Sequence, residues 1–361
     1  MPPLVVNDEC TLNCSETSFR RVVVKADGKH PVTIRDVARD AQVSVGTVSK
    51  VMNGTGQLRE ETQRRVRASV QRLGFVPNAF AQALNSSRSY TVAMLTDDSF
   101  GRFSLPILLG AEDALGSGTM AVFLCDTRGD TIREDHYVRA LLGRRVDGFI
   151  VTGRFADARV PVRLPDGTPV VYAMTPSTDS TQTSVRLDNE RGGELAVEHL
   201  LATGRRTIAH VAGNSRQASA RDRAAGAARV LDSAALALSG GEVLWGGWTE
   251  EWGRQAAQIL LRRAPDVDAV FAGSDQIARG VIEGIERTGR SVPRDVAVVG
   301  YDNWDVMTTG RRPELTSIDS HLPDLGRVAA GELMKLIDGA PRTEDMLIEP
   351  ELVLRESSAP S

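Results

Sequence analysis

The run SVGTVSK, Ser44 to Lys50, sets three hydroxyls and an ammonium within about two helical turns. Side chains of this kind on an exposed helix hold phosphates and read base edges, which is recognition and not bond breaking. Charge is distributed to match. Thr33 to Tyr90 carries nine Lys/Arg against four Asp/Glu, whereas Thr91 to the end carries 30 against 39, within a net charge of −4. A small basic segment on a larger acidic body is the electrostatic footprint of a nucleic-acid reader carried as a separate module.

Patterns for catalysis or metal binding are missing. His30, His136, His199, His210 and His321 show no H-E-x-x-H spacing, and neither G-x-S-x-G nor a Walker loop occurs. Cys10 and Cys14 lack the second pair a zinc site needs, and Cys125 ends an apolar run as a core residue would. Three cysteines in 361 residues fit a reducing compartment. No run approaches the ~20 apolar residues of a membrane span, and the first residues lack a basic n-region. The expectation is a cytoplasmic, nucleoid-associated protein that is not an enzyme and holds no metal or cofactor.

Positioning the basic segment takes three short helices. Thr33 with Asp36 reads as a capping box ahead of Ile34, Val37, Ala38 and Ala41 at helical spacing. Gln42 and Val43 make a turn, and Ser44 caps a second helix that buries Val48, Val51 and Met52. That leaves Val45, Gly46, Thr47, Ser49 and Lys50 for exposure, with Asn53 and Gly54 at the end. A third helix from about Glu60 to Leu73 turns Val66, Val70 and Leu73 inward and Arg64, Arg65, Arg67 and Arg72 outward, then stops at Gly74. Such a helix-turn-helix lays its second helix in the major groove. A small helical bundle with a solvated basic face has the same periodicity.

From Tyr90 onward apolar runs (YTVAML, MAVFLC, DGFIV, PVVYA, then TIAHVAG, EVLWG, DAVFAG, VAVVGYD) alternate with amphipathic stretches such as Glu190 to Leu201 and Thr249 to Arg263. Strands buried on both faces and separated by helices mean parallel sheets in a doubly wound α/β fold, and the two clusters divide near Arg186. A small ligand belongs in the cleft between them, at the carboxyl ends of the strands.

TIRDVARDAQVSVGTVSKVMNG, followed by GFVPNAFAQALNS, closely resembles the start of the LacI/GalR family of bacterial transcription regulators, and the resemblance runs in order through nearly the whole remaining chain. It implies an N-terminal helix-turn-helix domain (33–76), a hinge helix (77–89) and a two-lobed, type I periplasmic-binding-protein-like core (90–361); residues 1–32, with balanced charge and little periodicity, read as a disordered arm or as the product of an upstream start codon. The lobes would comprise about 90–186 with 320–338, and 187–319 with 339–361, with crossings near Arg186, Ser320 and Asp338. DNA contacts would come from Thr33, Ser44, Val45, Gly46, Thr47, Ser49, Lys50 and Asn53, and in the hinge from Asn78, Ala81 and Leu84, the last a minor-groove wedge. Gly46 cannot read a base through a side chain, Lys50 replaces the usual Arg fork with a point charge, and Arg59 replaces the usual small cap of helix three.

In the core the resemblance marks Arg223, Trp248, Ser274 and Asp302 as ligand contacts, and more loosely Asp98, Phe100, Phe103, Thr152 and Met174. Asp275 reads as a helix cap. Trp248, Trp252 and Trp304 about one cleft favour a sugar or sugar derivative, though a purine would also stack. The implied protein is a repressor that binds a palindromic operator as a homodimer under allosteric control by that effector. ELVLRESSAPS carries no leucine heptads and so implies no tetramerising tail. An α/β enzyme would need a nucleophile and a base in one cleft; a sugar transport receptor would need a secretion signal and no DNA reader. Neither condition is met in this sequence.

Overall fold

The structure, a computed structural model, describes residues 32–52, 56–75, 88–116 and 120–359. The chain divides into two compact units, Met1–Asn78 and Ala79–Ser361.

Three helices form the first unit: α1 (Ile34–Asp40), α2 (Val45–Met52) and α3 (Glu60–Leu73). The Thr33 amide and hydroxyl donate to the Asp36 carboxylate at 2.9 and 2.7 Å, closing the acidic half of the capping box. Ser44 Oγ accepts from the Thr47 amide at 3.1 Å and starts α2. Arg59 offers α3 no side-chain cap, and Gly74, at φ 63°, ends that helix in the left-handed region. Val37, Ala38, Ala41, Val48, Val51 and Val66 are the buried core. Arg72, exposed as expected, also pairs with Asp40, which accepts from Ser69 as well; these bonds hold the Asp40 carboxyl below its usual pKa and tie α1 to α3.

The second unit contains two six-stranded sheets. Strands β1 (Thr91–Thr96), β2 (Ala121–Asp126), β3 (Gly148–Thr152), β4 (Val170–Ala173), β5 (Thr183–Leu187) and β11 (Met346–Ile348) make the first, in the order β11-β5-β4-β3-β1-β2, all parallel. Strands β6 (Ile208–Ala212), β7 (Leu244–Trp245), β8 (Ala269–Ala272), β9 (Ala297–Tyr301), β10 (Thr316–Asp319) and β12 (Glu351–Val353) make the second, in the order β12-β10-β9-β8-β6-β7, with only β12 antiparallel. The connecting helices are α4 (Ser104–Leu115), α5 (Thr131–Gly143), α6 (Asn189–Ala202), α7 (Ala218–Ser233), α8 (Glu250–Arg263), α9 (Asp275–Glu286), α10 (Asp305–Thr308) and α11 (Leu322–Ile337). Central strands such as β3, β8 and β9 are wholly buried, as a sheet covered on both faces requires.

The first two crossings fall after β5 and after β10, beside Arg186 and at Ser320. The third does not fall near Asp338. After α11 the chain returns to the first sheet, where β11 pairs with β5, and it crosses only at 349–350 before β12 pairs with β10. Residues 339–348 therefore belong to the first lobe.

His210 shows how tightly the second lobe is packed. It is fully buried on β6, stacked on Phe271 at 4.4 Å, with Nδ1 2.9 Å from the Phe271 carbonyl. Burial, helped by the nearby Arg223 charge, pushes its pKa down to about 4. Its folded value lies below the unfolded ~6.5, so the neutral ring contributes stability that is full above that pH and is lost as pH falls towards 4, on the order of 3 kcal/mol. Urea unfolding of wild type and His210→Phe from pH 7 to 4 should show a shallower acid-side decline in the variant; parallel curves would refute this role.

Candidate functional site

In the first unit, α2 presents the predicted reading face. Val45 is 42% exposed, and Gly46 and Lys50 are exposed, while Thr47 and Ser49 are half-buried. A Cβ at Gly46 would meet nothing closer than Ser44 Oγ at 3.7 Å, so the backbone there lies open. The Ser44 hydroxyl is committed to the cap and lies 2.9 Å from Thr47 Oγ1; the Thr33 hydroxyl is bound to Asp36. Arg64, Arg65 and Arg67 stand exposed on α3. Asn53, Asn78, Ala81, Leu84, Cys10 and Cys14 lie outside the described residues.

In the second unit, strand order reverses between β1 and β3 in one sheet and between β6 and β8 in the other, the positions where doubly wound sheets bind ligands. A cavity of about 800 Å³ lies between the lobes, lined by loops that follow these strands. Asp98, Phe100, Phe103, Met174, Arg223, Trp248 and Asp302 line it; Thr152 and Ser274 do not. Thr152 is fully buried in β3, in register with Ala173. Ser274 is the N-cap of α9, accepting from the Ile277 amide at 3.3 Å.

Asp275, read as the cap, does different work. Its carboxylate accepts from the Trp304 amide at 2.7 Å and from Ser317 Oγ at 2.5 Å, tying the loop after β9 to β10. Burial, with the charge of Asp302 beside it, pushes the Asp275 pKa up to about 8. Trp252 is also displaced from its expected place: its Nε1 donates to the Ala212 carbonyl at 2.9 Å and its ring packs on the core of the second lobe. Trp248 and Trp304 remain in the cavity wall. Gly213 has to be glycine here, since a Cβ would stand 2.2 Å from the Trp248 ring.

Arg223 is held from three sides. Its Nε donates to Asn189 Oδ1 at 2.9 Å, one terminal nitrogen to the Gly273 carbonyl at 2.6 Å, and the other lies 3.5 Å from Asp302 Oδ1. The guanidinium sits 3.5 Å over the ring of Tyr301, whose phenol pKa burial pushes up to about 12. Asp302 itself adopts φ 98°, a left-handed backbone that a non-glycine residue keeps only when its surroundings impose it.

The residue that sequence reasoning passed over is Arg102. From the first lobe it reaches Asp302 Oδ2 at 2.5 Å and Gln276 Oε1 at 2.8 Å, both in the second lobe, with its guanidinium 4.6 Å over Trp304 and 5.0 Å over Phe103. Its signal lay in the same loop as Phe100 and Phe103: a lone cation between two aromatics just past a strand end. Asp157 makes a second bridge, accepting from the Ala218 amide at the start of α7 at 2.9 Å. Asp98 lines the cavity, and its Oδ2 accepts from the Phe103 and Ser104 amides at 2.7 and 3.0 Å.

Among the described residues no group of three or more His, Cys, Asp or Glu is placed to hold a metal ion, and no helix is long and apolar enough to cross a membrane.

A three-helix DNA-reading unit, joined in one chain to a two-lobed core with a ligand-sized cavity between the lobes, defines a DNA-binding transcriptional regulator. Residues 33–78 match the model for bacterial regulatory proteins of the lacI family, and residues 197–358 match that for a periplasmic binding protein-like domain. The transcriptional regulator CelR of Thermobifida fusca is 35% identical over 90% of this chain and 98% of its own. A solved complex of CelR with cellobiose aligns over 91% of this chain and all of that one, with 32% identity and a TM-score of 0.63. A Lac repressor dimer bound to operator and the anti-inducer ONPF aligns over 91% and 99%, with 27% identity and a TM-score of 0.70. The chain belongs to the lacI family of bacterial regulatory proteins.

Proposed function

We propose that this regulator represses transcription by binding a palindromic operator as a homodimer, and that a carbohydrate bound between its lobes controls its operator affinity. The convergence of Arg223, Asp302 and Trp248 in one interlobe cavity carries this reading. A fork donor and a carboxylate bind vicinal hydroxyls, and an indole face packs on a pyranose ring. The solved relatives supply both halves of the analogy, one holding cellobiose and the other sitting on its operator as a dimer.

The mechanism is a population shift. Arg102 and Asp157 already bridge the lobes, so a ligand entering between them binds one lobe arrangement better than another. Only that difference in affinity, transmitted to the DNA-binding units of the dimer, changes operator affinity.

In vitro selection of the purified protein against random duplex DNA at fixed salt tests the reading. Enrichment of a palindrome is the expected result; salt-sensitive binding without a consensus would contradict it. On that operator, Lys50→Ala should relax preference at one position per half-site, or else weaken all sequences alike and reduce the salt slope by about 1. The first outcome makes Lys50 a base reader, the second a phosphate anchor.

A further inference from the structure

Three guanidiniums face the interlobe cavity, those of Arg102, Arg154 and Arg223, against two carboxylates, Asp98 and Asp302. Asp98 Oδ2 is already engaged by the amides that open α4, and among the described residues no arginine pairs with this carboxylate. Among the described residues Asp302 is the lining carboxylate that pairs with these cations, and it is divided, with Oδ2 on Arg102 and Oδ1 on Arg223. Both arginines are largely withdrawn from water, their side chains 16% and 7% exposed. A guanidinium so placed gains most from a bidentate anionic partner, and neither has one. Among the described residues, the buried Nε of Arg102 has no hydrogen-bond partner at all. Behind Asp302, the buried Asp275 does not line the cavity, and its carboxylate is taken up by the Trp304 amide and the Ser317 hydroxyl. The lining is therefore one anion short.

We propose that the effector is a polyhydroxylated acid, a sugar bearing a carboxylate or a phosphate, and that Arg102 is the residue that recognises its anionic group. The inference rests on the interlobe cavity being the effector site. The acid takes Arg102 as a bidentate partner and satisfies its Nε, while Asp302 is left to Arg223 and to the ligand's hydroxyls. Arg154, exposed at the same wall, adds attraction for the same charge. The hydroxyls of a neutral sugar can replace the hydrogen bonds of displaced water but bring no charge to balance the third cation. Arg102 also contacts Trp304 in a cation–π pair, so its capture by the ligand changes the surroundings of an indole.

Matched ligands test this on the full chain at constant ionic strength, read by tryptophan fluorescence and calorimetry. D-glucuronate and D-gluconate supply carboxylates, D-glucose 6-phosphate a phosphate, and D-glucose and cellobiose are the neutral comparators. At least one acid should bind about tenfold or more tightly than its neutral comparator, and Arg102→Gln should remove most of that advantage, read as the ratio of acid to neutral-sugar affinity within each protein. Arg102→Lys should restore part of it, since the charge returns without the fork. Which arm responds separates carboxylate from phosphate. Neutral sugars that bind as well as the acids, in wild type and Arg102→Gln alike, would overturn the anionic proposal and leave the carbohydrate reading standing. Failure of every sugar and acid to bind would overturn both.

Discussion

Arg223→Ala is expected to bind the effector at least about a hundredfold more weakly than wild type, because it removes the fork donor of the cavity and two of the groups that orient Asn189 and Asp302. It should also cost about 3 kcal/mol of stability, near the low end for breaking a buried ion pair, because Arg102 still neutralises Asp302. Calorimetric titration gives the first number and urea unfolding the second. Operator affinity without effector should be retained, since the DNA-reading helices belong to the other compact unit. Arg223→Lys should keep charge but lose the fork, and so fall between the two. An Arg223→Ala protein that responds to effector at wild-type concentrations would show that the Asp302 pairing is structural and that the ligand sits elsewhere in the cavity.

The first unit could be read from sequence down to single hydrogen bonds because its signals are local. Thr33 with Asp36, Ser44 with Thr47, and Gly74 each act within three residues of themselves, and the structure keeps all three. The eight apolar runs of the core all became strands, and in central strands such as β3 and β8 burial on both faces explains the unbroken apolar stretch, whereas the edge strands β2 and β7 are apolar yet partly exposed. Among the strands that carried no such signal, β5, β10 and β12 mix polar residues with apolar ones, as TSVRL and TSID do, and β11 is only three residues long. They were also what placed the third crossing, so missing β11 put that crossing about ten residues early.

The cavity divided along the same line. Arg223 on α7, and Trp248 and Asp302 in the loops after β7 and β9, could be placed by register with the family. What could not be placed was who satisfies whom. Ser274, expected to touch the ligand, is instead the cap of α9, and Asp275, expected to be that cap, ties the loop after β9 to β10 across the fold. Arg102 pairs with Asp302 across 200 residues of chain, a contact no local pattern encodes.

The contact between α6 and α7 gives the second large effect, and it comes from two glycines. A Cβ at Gly226 would stand 1.9 Å from the Glu190 carbonyl oxygen, and one at Gly193 would stand 2.1 Å from the Arg223 carbonyl oxygen. The helix backbones therefore touch where α7 carries Arg223, one turn before Gly226. Gly226→Ala must push the helices apart against backbone, not against a side chain that can rotate away, and should cost about 3 kcal/mol. At Gly331, inside α11, a Cβ would meet nothing within 4 Å. There the same substitution should stabilise by about 0.5–1 kcal/mol through the helix propensity of alanine alone. Urea midpoints should rank Gly331→Ala above wild type and wild type above Gly226→Ala. The effector readout separates packing from propensity further: displacement of α7 moves Arg223 off Asp302, so Gly226→Ala should also lose effector affinity, while Gly331→Ala should not. A Gly226→Ala protein as stable as wild type would mean that the helix contact relaxes freely, and the position of Arg223 would then have to be fixed by Asn189 and Gly273 instead.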